Sequence, residues 1–464
     1  MKHTDVLDRT RAALQAVLAA AQWHDAPLDG LDIEPAGNVL PTSLPVAPCA
    51  AAVLSATGLA SAALQAQRGN GLPHVRVSVR SAALAMANAD YLRVDGSKVK
   101  SWDPITGYYR ACDGWVYLHG NFAHLRDGLL RLLDVPNDRV ALAAAVSRRR
   151  AEDIERAAGE HGLCAVKVRR RAEWSAHPQC QAASTLPVVD IRRIGDAPRE
   201  PLPEGRRPLS GARVLDLSRV IAGPMVGRTL AEHGATVMLV SGPHLSSLEP
   251  LVIDTGFGKL SAALDLRTAE GAQRLGDLAA DASIFVNAYR PGSLEQRGYG
   301  PEALARSRPG IVYVSISAFS QAGPWAGRRG YDTLVCAATG HGYADGDTPS
   351  RLPCQPLDYL TGYLGAYGAM VALRRRAIEG GSWHVRLSLD RTAAWLWEMT
   401  DALGREADVP AARPGMDDVD DLCAVTPSAF GQLTHFKPIV DMPEAPPRWD
   451  RPPVPLGADP ARWP

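Results

Sequence analysis

The stretch ARVLDLSRVIAGPMVGRTLAEHGATVMLVSG, residues 212–242, decides the fold class. It opens with a short apolar run typical of a buried strand, continues with helical spacing up to a glycine, and ends with a second apolar run. The same rhythm continues with a helix at 269–282, a strand at 283–289 and a strand at 311–319. Strands that alternate with helices predict βαβ units in a parallel sheet with helices on both faces. We therefore expect an α/β protein that binds its ligand at the carboxyl ends of the strands.

The composition narrows the class of protein. The chain has 464 residues, of which 46% are hydrophobic and 22% charged, and its 50 basic residues balance 50 acidic ones. A net charge of zero disfavours nucleic acid or an anionic membrane as the primary partner. The N-terminus resembles an amphipathic helix rather than a signal peptide. The sequence contains no unbroken run of about 18 apolar residues, so we predict no membrane-spanning segment. Seven scattered cysteines fit free thiols, so we expect a cytoplasmic protein.

Two proline-rich stretches predict seams in the chain. Residues 192–211 crowd Pro, Gly and Arg without apolar periodicity, which indicates a linker. Residues 441–464 contain too much Pro for a helix or a central strand. We expect Trp449 and Trp463 to anchor this tail to the surface of a domain.

A weak internal repeat relates the two halves of the chain. A shift of 310 positions without gaps superposes ten identical residues, among them the His-Val-Arg at 74–76 and at 384–386. Each copy predicts an Ala- and Gly-rich helix, a turn and a strand, which indicates a common origin. The copies differ at one position that could act in catalysis: Asp358 in the second copy corresponds to Pro48 in the first.

Common catalytic motifs are absent from the sequence. No GxGxxG follows a strand, no P-loop occurs and no GxSxG elbow is present. Cys112, His119 and His124 have the spacing nearest to a metal site, but they lack a paired CxxC, so we predict no metal. His341 lies among turn-forming residues and is interpreted as a loop residue.

The stretch PCQPLDYLTGYLGAYGAMVALRRR, residues 353–376, contains the remaining candidate, Asp358. Asp358 begins a helix of small residues, where an aspartate is either an N-terminal cap or a functional carboxylate. The helix dipole there would keep the carboxylate ionised at neutral pH, which is the form that a nucleophile needs. The small residues behind it would allow another backbone to approach closely.

Residues 212–376 resemble the family III CoA-transferases of the CaiB/BaiF type, a superfamily that includes formyl-CoA transferases and acyl-CoA racemases. The resemblance rests on the opening stretch, on VNAYRPGSLEQRGYGPEAL at 286–304, on IVYVSISAFSQAGPWAGRRGYD at 311–332 and on the helix after Asp358, in the family's order. It implies a Rossmann-like domain, a smaller α+β domain, and Asp358 as the nucleophile that carries the acyl group. It also implies a transferase of sulfur-containing groups (EC 2.8.3-like) that uses CoA and a carboxylic acid as substrates and needs no tightly bound cofactor.

The resemblance further implies a groove for CoA. The matching positions lie in the first strand–helix turn, at the next strand ends and near the nucleophile: Arg219, Val220, Ile221, Lys259, Asn287, Ala288 and Tyr331. Arg290 and Arg297 lie close to that groove in sequence and are candidates for the CoA phosphates. Ser241 and Gly242 stand where the family usually has an acidic and then a basic residue, so one phosphate contact is missing.

The order of the parts departs from the family. Residues 90–198 resemble the family's small domain, yet they precede the βαβ half. We therefore interpret residues 1–200 as a degenerate first copy that includes the small domain, residues 207–440 as the CoA-transferase domain with the nucleophile, and residues 441–464 as a tail. This order of parts indicates a permuted fusion of two copies. Because the dimers of the family interlock, we also expect a homodimer.

Two alternatives remain open. One is an acyl-CoA racemase or isomerase of the same fold, although the Gly330-Tyr331-Asp332 of this chain lacks the histidine base of that branch. The other is a non-catalytic CoA- or acyl-CoA-binding module. The sequence does not identify the acyl donor or the acceptor.

Overall fold

The computed structural model describes residues 3–99, 102–201 and 203–464, and its N-terminal region surrounds one long apolar helix. The elements of this region are α1 (His3–Ala20), β1 (Leu31–Glu34), α2 (Val46–Gln67), β2 (Val75–Ser78), α3 (Val79–Ala85), α4 (Asn88–Tyr91), β3 (Arg93–Val94) and β4 (Ser97–Lys98). The apolar side chains of Val6, Leu14 and Val17 are buried while the polar face of α1 is exposed, which confirms the predicted amphipathic helix.

A small α+β unit follows. Its elements are β5 (Gly107–Ala111), β6 (Gly114–Leu118), α5 (Ala123–Leu133), α6 (Arg139–Val146), α7 (Ala151–Glu160), β7 (Ala165–Lys167), α8 (Arg171–Ser175) and α9 (Pro178–Ser184). β5, β6 and β7 form an antiparallel sheet, and its helices close a separate core around residues such as Leu129 and Ile154. Gln179 of α9 joins this unit to the rest by donating to the Asp390 carboxylate at 3.0 Å.

The remaining elements build the main sheet and its helices, followed by two strands, β15 and β16, that belong to another sheet. They are β8 (Asp190–Gly195), β9 (Arg213–Leu217), α10 (Ala222–Glu232), β10 (Thr236–Ser241), α11 (Glu249–Thr255), β11 (Lys259–Ala263), α12 (Ala269–Ala280), β12 (Ile284–Asn287), α13 (Pro301–Ser307), β13 (Val312–Ser317), α14 (Asp332–Ala338), α15 (Pro356–Glu379), β14 (Ser382–Ser388), α16 (Leu389–Leu403), β15 (Cys423–Ser428) and β16 (Gly431–Phe436). Short 3₁₀ helices lie at Leu28–Gly30, Glu295–Arg297, His341–Tyr343 and Asp417–Leu422.

The main sheet has seven strands in the order β11-β10-β9-β12-β13-β14-β8. β9 to β14 pair in parallel, and only the edge strand β8 runs antiparallel. This arrangement confirms the predicted α/β class. The predicted linker is wrong at its start, because residues 192–195 form most of β8 and their backbone pairs with β14. Arginine-rich composition concealed an edge strand whose side chains largely face solvent.

The strand order places a switch point between β9 and β12. From β9 the chain runs outward through β10 and β11, and from β12 it runs in the opposite direction through β13 and β14. In open parallel sheets a crevice forms outside the carboxyl ends of the two strands at such a point. The loops that follow β9 and β12 are therefore the ones expected to meet a ligand.

The two copies of the internal repeat have the same local topology. In each, a long helix connects two parallel strands: α2 connects β1 with β2, and α15 connects β13 with β14. α2 and α15 pack against each other in the main core. Pro48 and Asp358 are both the third residue of their helices, so the first copy has no carboxylate at the corresponding position.

Small residues let α15 approach its neighbours closely, as expected. A Cβ atom on Gly362 would lie 2.5 Å from the Cβ of Met225 and 2.8 Å from the carbonyl oxygen of Ala222. Such distances leave no room for a side chain, so Gly362 fixes how closely α15 packs on α10. This contact sets the position of the first turn of α15.

The end of the chain joins the first half to the second. β15 and β16 pair with β3 and β4 in a four-stranded antiparallel sheet. In the tail, the indole N–H of Trp449 donates to the carbonyl of Arg228 at 3.2 Å, and that of Trp463 donates to the carbonyl of Leu278 at 3.1 Å. Both indoles therefore anchor the tail as predicted.

One helix of the described residues is long and apolar enough to cross a membrane. It is α2, in which small polar residues interrupt the apolar ones, so that a search for unbroken runs passes over it. In the structure 94% of its most apolar window is buried inside the protein. Its apolar surface is covered by α1 and α15, which makes α2 a core helix.

Candidate functional site

Asp358 lies where two cavities meet. It is the third residue of α15 and only 5% exposed, yet it lines both an outer cleft and an inner pocket. The outer cleft comprises about 1830 Å³ and the inner pocket about 520 Å³, each including its opening to solvent. A group bound in either cavity can therefore reach this carboxylate.

The cap of α15 comes from Asp332 and not from Asp358. One carboxylate oxygen of Asp332, the first residue of α14, accepts the backbone N–H of Leu357 at 2.8 Å and that of Asp358 at 3.1 Å. The residue before α15, Gln355, makes no side-chain cap. Within the parts of the chain that the structure describes, no donor lies within hydrogen-bond distance of the Asp358 carboxylate. The capping interpretation of Asp358 is therefore wrong, and its side chain is free to react.

The environment opposes ionisation of Asp358. Burial raises its pKa well above the usual value for an aspartate, and the charge of Asp332 raises it further. Burial also raises the pKa of Asp332, to about 7, although the two backbone N–H groups hold it down. We expected the helix dipole to keep Asp358 ionised at neutral pH, and this was wrong. The N-terminus of α15 is capped by a second carboxylate, and the charge of Asp332 opposes a charge on Asp358.

The outer cleft forms at the switch point of the sheet. Arg219, Val220 and Ile221, in the loop after β9, line one side of it, and Ala288 and Arg290, after β12, line the other. These five residues are the predicted ones that the sheet topology brings to the cleft. A sixth predicted residue, Tyr331, directly precedes Asp332 and lines both the outer cleft and the inner pocket.

The turn into α10 is strained next to Asp358. Val220 has a φ of 75°, a left-handed conformation that a β-branched residue rarely adopts. Such strain costs on the order of 1–3 kcal/mol and concentrates at functional sites. The turn also requires a glycine, because a Cβ atom on Gly223 would lie 2.4 Å from that of Ala288. Val220 lines both cavities, so this turn shapes the space on either side of Asp358.

Arginines give the outer cleft a positive charge. Arg219 lies 4.9 Å over the ring of Phe122 and donates to the carbonyl of Ser246. Arg290 is exposed, and none of its side-chain N–H groups donates to a residue in the described ranges 3–99, 102–201 and 203–464. Arg328 and Arg329 donate to backbone carbonyls of the small unit. Arg290 is thus the cleft arginine best placed to meet an anionic ligand.

The inner pocket has mainly aromatic and aliphatic walls. His119 stacks on Tyr331 with ring centroids 4.1 Å apart, and Phe122 lies 5.9 Å from the same ring. Leu248 and Leu251 line another part of the pocket. His119 and Phe122 come from the small unit, so this unit closes the pocket against α15.

Comparison with known proteins identifies the segment that holds the sheet and Asp358. Residues 209–420 match the family model described as CoA-transferase family III. This segment belongs to CoA-transferase family III. The small unit, which supplies His119 and Phe122, lies outside the matched residues, as does the N-terminal region.

Several CoA-transferases are similar in sequence. The acyl-CoA transferase of Gibberella moniliformis is 31% identical over 365 residues, which are 68% of this chain and 64% of the relative. Acetyl-coenzyme A transferase nodX of Hypoxylon pulicicidum is 37% identical over 43% of this chain and 35% of its own length. Succinyl-CoA:glutarate CoA-transferase of Mus musculus is 36% identical over 36% of this chain and 42% of its own. The chain thus spans about a third to two thirds of the length of these relatives.

A solved structure of a CAIB/BAIF family protein from Brucella suis is also similar. It is 25% identical and has a TM-score of 0.40 over 49% of this chain and 65% of that protein.

Three residues expected in the CoA groove of this family lie elsewhere. Lys259 is buried, and its Nζ lies 2.7 Å from a carboxylate oxygen of Asp216 and 2.7 Å from the carbonyl of Pro224. It is the first residue of β11, at the end of the strand opposite the ligand loops, so its side chain extends beneath α10. Its prediction as a CoA contact is wrong for this structure.

Asn287 and Arg297 also lie off the cleft. Asn287 ends β12 with its side chain turned inward, where it donates to the hydroxyl of Tyr313 at 2.9 Å and accepts the N–H of Tyr289 at 3.0 Å. Arg297 is exposed in a 3₁₀ helix and donates to the carbonyl of Leu266 at 2.6 Å. Closeness in sequence to the β12 loop did not bring either side chain into the cleft.

The histidines and cysteines form no metal site in the described part of the chain, where no group of three or more His, Cys, Asp or Glu side chains could hold an ion. Cys112 and His124 lie apart from His119, which stacks on Tyr331. His341, predicted as a loop residue, begins a short 3₁₀ helix and is buried, with its ring centroid 4.5 Å from that of Trp397.

Sequence reasoning missed Asp332, Phe122 and the role of His119. Asp332 is visible as the last residue of the Gly-Tyr-Asp motif, but nothing in the sequence shows that it caps a helix that begins 24 residues later, at Pro356. His119 was considered only as a metal ligand. Its position in the inner pocket follows from the packing of the small unit on α14.

Proposed function

We propose that this protein is a CoA-transferase that moves CoA between carboxylic acids through a covalent intermediate on Asp358. The observation that carries the proposal is a buried carboxylate without a hydrogen-bond donor at the junction of two cavities. Burying a carboxylate without a partner lowers the stability of the fold. A nucleophile that attacks a bound acyl group needs such a position, which explains why the carboxylate is there. Membership of residues 209–420 in CoA-transferase family III supports the same activity.

The proposed reaction splits one exchange into acyl transfers at Asp358. The carboxylate attacks the thioester carbonyl, the C–S bond breaks, and a mixed anhydride forms as CoA thiolate leaves. The thiolate attacks the aspartyl carbonyl of the anhydride, which gives an aspartyl-CoA thioester and releases the first acid as its carboxylate. The acceptor carboxylate attacks this thioester and forms a second anhydride, whose acceptor carbonyl the thiolate then attacks. The new acyl-CoA leaves and the Asp358 carboxylate is restored.

The outer cleft suits CoA and the inner pocket suits the acyl group. Arg219 and Arg290 supply positive charge for phosphates along the cleft, and Ile221, Ala288 and Tyr331 form its walls near Asp358. The thioester would lie between the two cavities, next to the carboxylate. CoA enters this scheme as a substrate, and the chemistry uses only carboxylate, thioester and thiolate groups.

A racemase or isomerase is the second candidate, because His119 contributes an imidazole to the inner pocket. Burial lowers the pKa of His119 to about 3, and the charge of Arg351 lowers it further. A base this weak is poorly matched to removing an α-proton at neutral pH. CoA binding without catalysis would not explain why the buried carboxylate of Asp358 has no hydrogen-bond partner. We therefore favour the transferase.

An exchange assay tests the proposal. The protein is incubated with hexanoyl-CoA and deuterated hexanoate, and the label in the CoA ester is followed by mass spectrometry. We expect label to enter hexanoyl-CoA with the wild-type protein and not with Asp358→Asn, which keeps the size of the side chain. Loss of the α-hydrogen to solvent without label exchange would support the racemase instead. The cytoplasmic location and the homodimer are further proposals, and light scattering of the purified chain tests the second.

A further inference from the structure

The ionisable side chains that line the inner pocket are mainly acidic. Among the described residues that line it there is no lysine or arginine, whereas Asp90, Asp332 and Asp358 all contribute to its surface. His119 also lines the pocket, and burial lowers its pKa to about 3, which favours the neutral imidazole. An anionic group that entered this pocket would lose its water and find carboxylates in place of cations.

Two of the described cations close to the pocket already form ion pairs. Lys98 lies 3.5 Å and Arg413 2.9 Å from the carboxylate oxygens of Asp90. Arg351 is exposed and lies 4.4 Å over the ring of Trp102. None of the three lines the pocket, so a second carboxylate on the acyl chain would meet none of them at the pocket wall.

The rest of the pocket matches an uncharged acyl group. The rings of His119, Tyr331, Phe122 and Trp102 provide flat apolar faces, and Leu248 and Leu251 add aliphatic surface. The Nδ1 atom of His119 is buried and has no hydrogen-bond partner. It is the polar atom that a neutral hydroxyl or carbonyl on the acyl chain would satisfy.

From these observations we propose that the enzyme accepts acyl groups that carry no charge beyond the thioester, alkyl or aryl in class, and excludes acyl groups with a second carboxylate. This inference rests on the proposed function and adds the substrate class to it. Succinyl-CoA:glutarate CoA-transferase of Mus musculus is named for dicarboxylic acids. We therefore expect this chain to differ from that relative in the acids it takes.

A matched pair of donors tests the inference. Hexanoyl-CoA and adipoyl-CoA have acyl chains of the same carbon number and differ by the terminal carboxylate. The rate at which Asp358 is acylated is measured for each in single turnovers, by quenching and intact-protein mass spectrometry. We expect acylation by hexanoyl-CoA to be at least about ten-fold faster, because a buried unpaired carboxylate is costly. Benzoyl-CoA should resemble hexanoyl-CoA.

The outcomes separate this inference from the proposed function. Equal rates, or a faster rate with adipoyl-CoA, would overturn the exclusion of dicarboxylates and leave the transferase chemistry intact. Acylation by none of the three donors, in protein that still binds CoA, would overturn the proposed function and the inference with it.

A charge added to the pocket provides a second test. Gln355 is half-buried at its edge, so Gln355→Arg introduces a cation without disturbing the core. Gln355→Met has a similar length and no charge. We expect Gln355→Arg to raise the ratio of adipoyl-CoA to hexanoyl-CoA reactivity by about ten-fold or more over Gln355→Met, since a charge-assisted hydrogen bond would form. Using the ratio cancels any effect of the cation on Asp358 itself. An unchanged ratio would contradict the inference.

Discussion

The carboxylate of Asp332 accepts the backbone N–H of Asp358 at 3.1 Å, so one side chain both caps the helix of the proposed nucleophile and opposes its charge. The cap fixes where Asp358 lies relative to the cavities. The charge raises the pKa of Asp358, in addition to burial, and makes its ionisation depend on pH. A carboxylate that is hard to ionise and poorly solvated is a reactive one once it is formed.

The first prediction separates these two effects of Asp332. Asp332→Asn keeps an oxygen that can accept the N–H groups of Leu357 and Asp358 but removes the charge. The pKa of Asp358 should fall, so the rise of activity with pH should begin at lower pH than in the wild type, as measured by initial rates from pH 5 to 10. Asp332→Ala also removes the cap and should lower the free energy of unfolding by about 1 kcal/mol. An acid limb at the same pH in wild type and Asp332→Asn would show that Asp332 does not control ionisation of Asp358.

The second prediction concerns the cleft arginines. Arg290→Ala should raise the KM for acyl-CoA by about ten-fold, the size of one charge-assisted hydrogen bond, and leave kcat nearly unchanged. The KM for the matching acyl-pantetheine, which has no phosphate, should change little. Arg297→Ala is the control, since Arg297 is an exposed arginine off the cleft. Equal effects of Arg290→Ala and Arg297→Ala would place the phosphates elsewhere.

The third prediction tests whether Lys259 is structural. Lys259→Met leaves the buried Asp216 charge without its partner and should lower the free energy of unfolding by about 3–5 kcal/mol in denaturant titrations. The double variant with Asp216→Asn should recover much of that loss, because the two sites are coupled. If Lys259→Met instead keeps its stability and loses affinity for CoA, the original prediction of a CoA contact was right.

The fourth prediction concerns a buried acid far from the cleft. Burial raises the pKa of Glu232 to about 8 from a usual 4.5, although Arg228 and Arg207 lower it. Because the folded state holds this proton more tightly than the unfolded state, the stabilisation is present below about pH 4.5 and is lost as pH rises through about 8. Glu232→Gln should therefore become more stable relative to wild type across this range, in thermal unfolding followed at several pH values. The exposed Glu302→Gln should show no such trend, and a flat difference for Glu232→Gln would contradict the prediction.

The sequence predicts those features that depend on periodicity and on topology. The alternation in residues 212–319 is sufficient for the parallel sheet. The family resemblance, together with closeness in sequence, correctly places Arg219 and Arg290 at the cleft. The anchoring of the tail by Trp449 follows from a large aromatic residue in a proline-rich stretch. Each of these depends on local pattern or on the family resemblance.

What the sequence does not predict depends on side-chain direction and on contacts between distant segments. A lysine can contact a phosphate, but Lys259 is the first residue of β11, at the end away from the ligand loops. Its side chain forms a buried ion pair with Asp216. The cap of α15 by Asp332 and the entry of His119 into the inner pocket join segments that no local pattern relates. The expected ionisation of Asp358 failed for the same reason, because the opposing charge comes from another helix.

The most direct test of covalent catalysis is intact-protein mass spectrometry after mixing the enzyme with hexanoyl-CoA and quenching with hydroxylamine. We expect an acyl or CoA adduct that hydroxylamine converts to a hydroxamate at Asp358, and no adduct on Asp358→Asn, which should still bind CoA. An adduct that persists in Asp358→Asn, or turnover by the wild-type enzyme with no hydroxamate on Asp358, would contradict it.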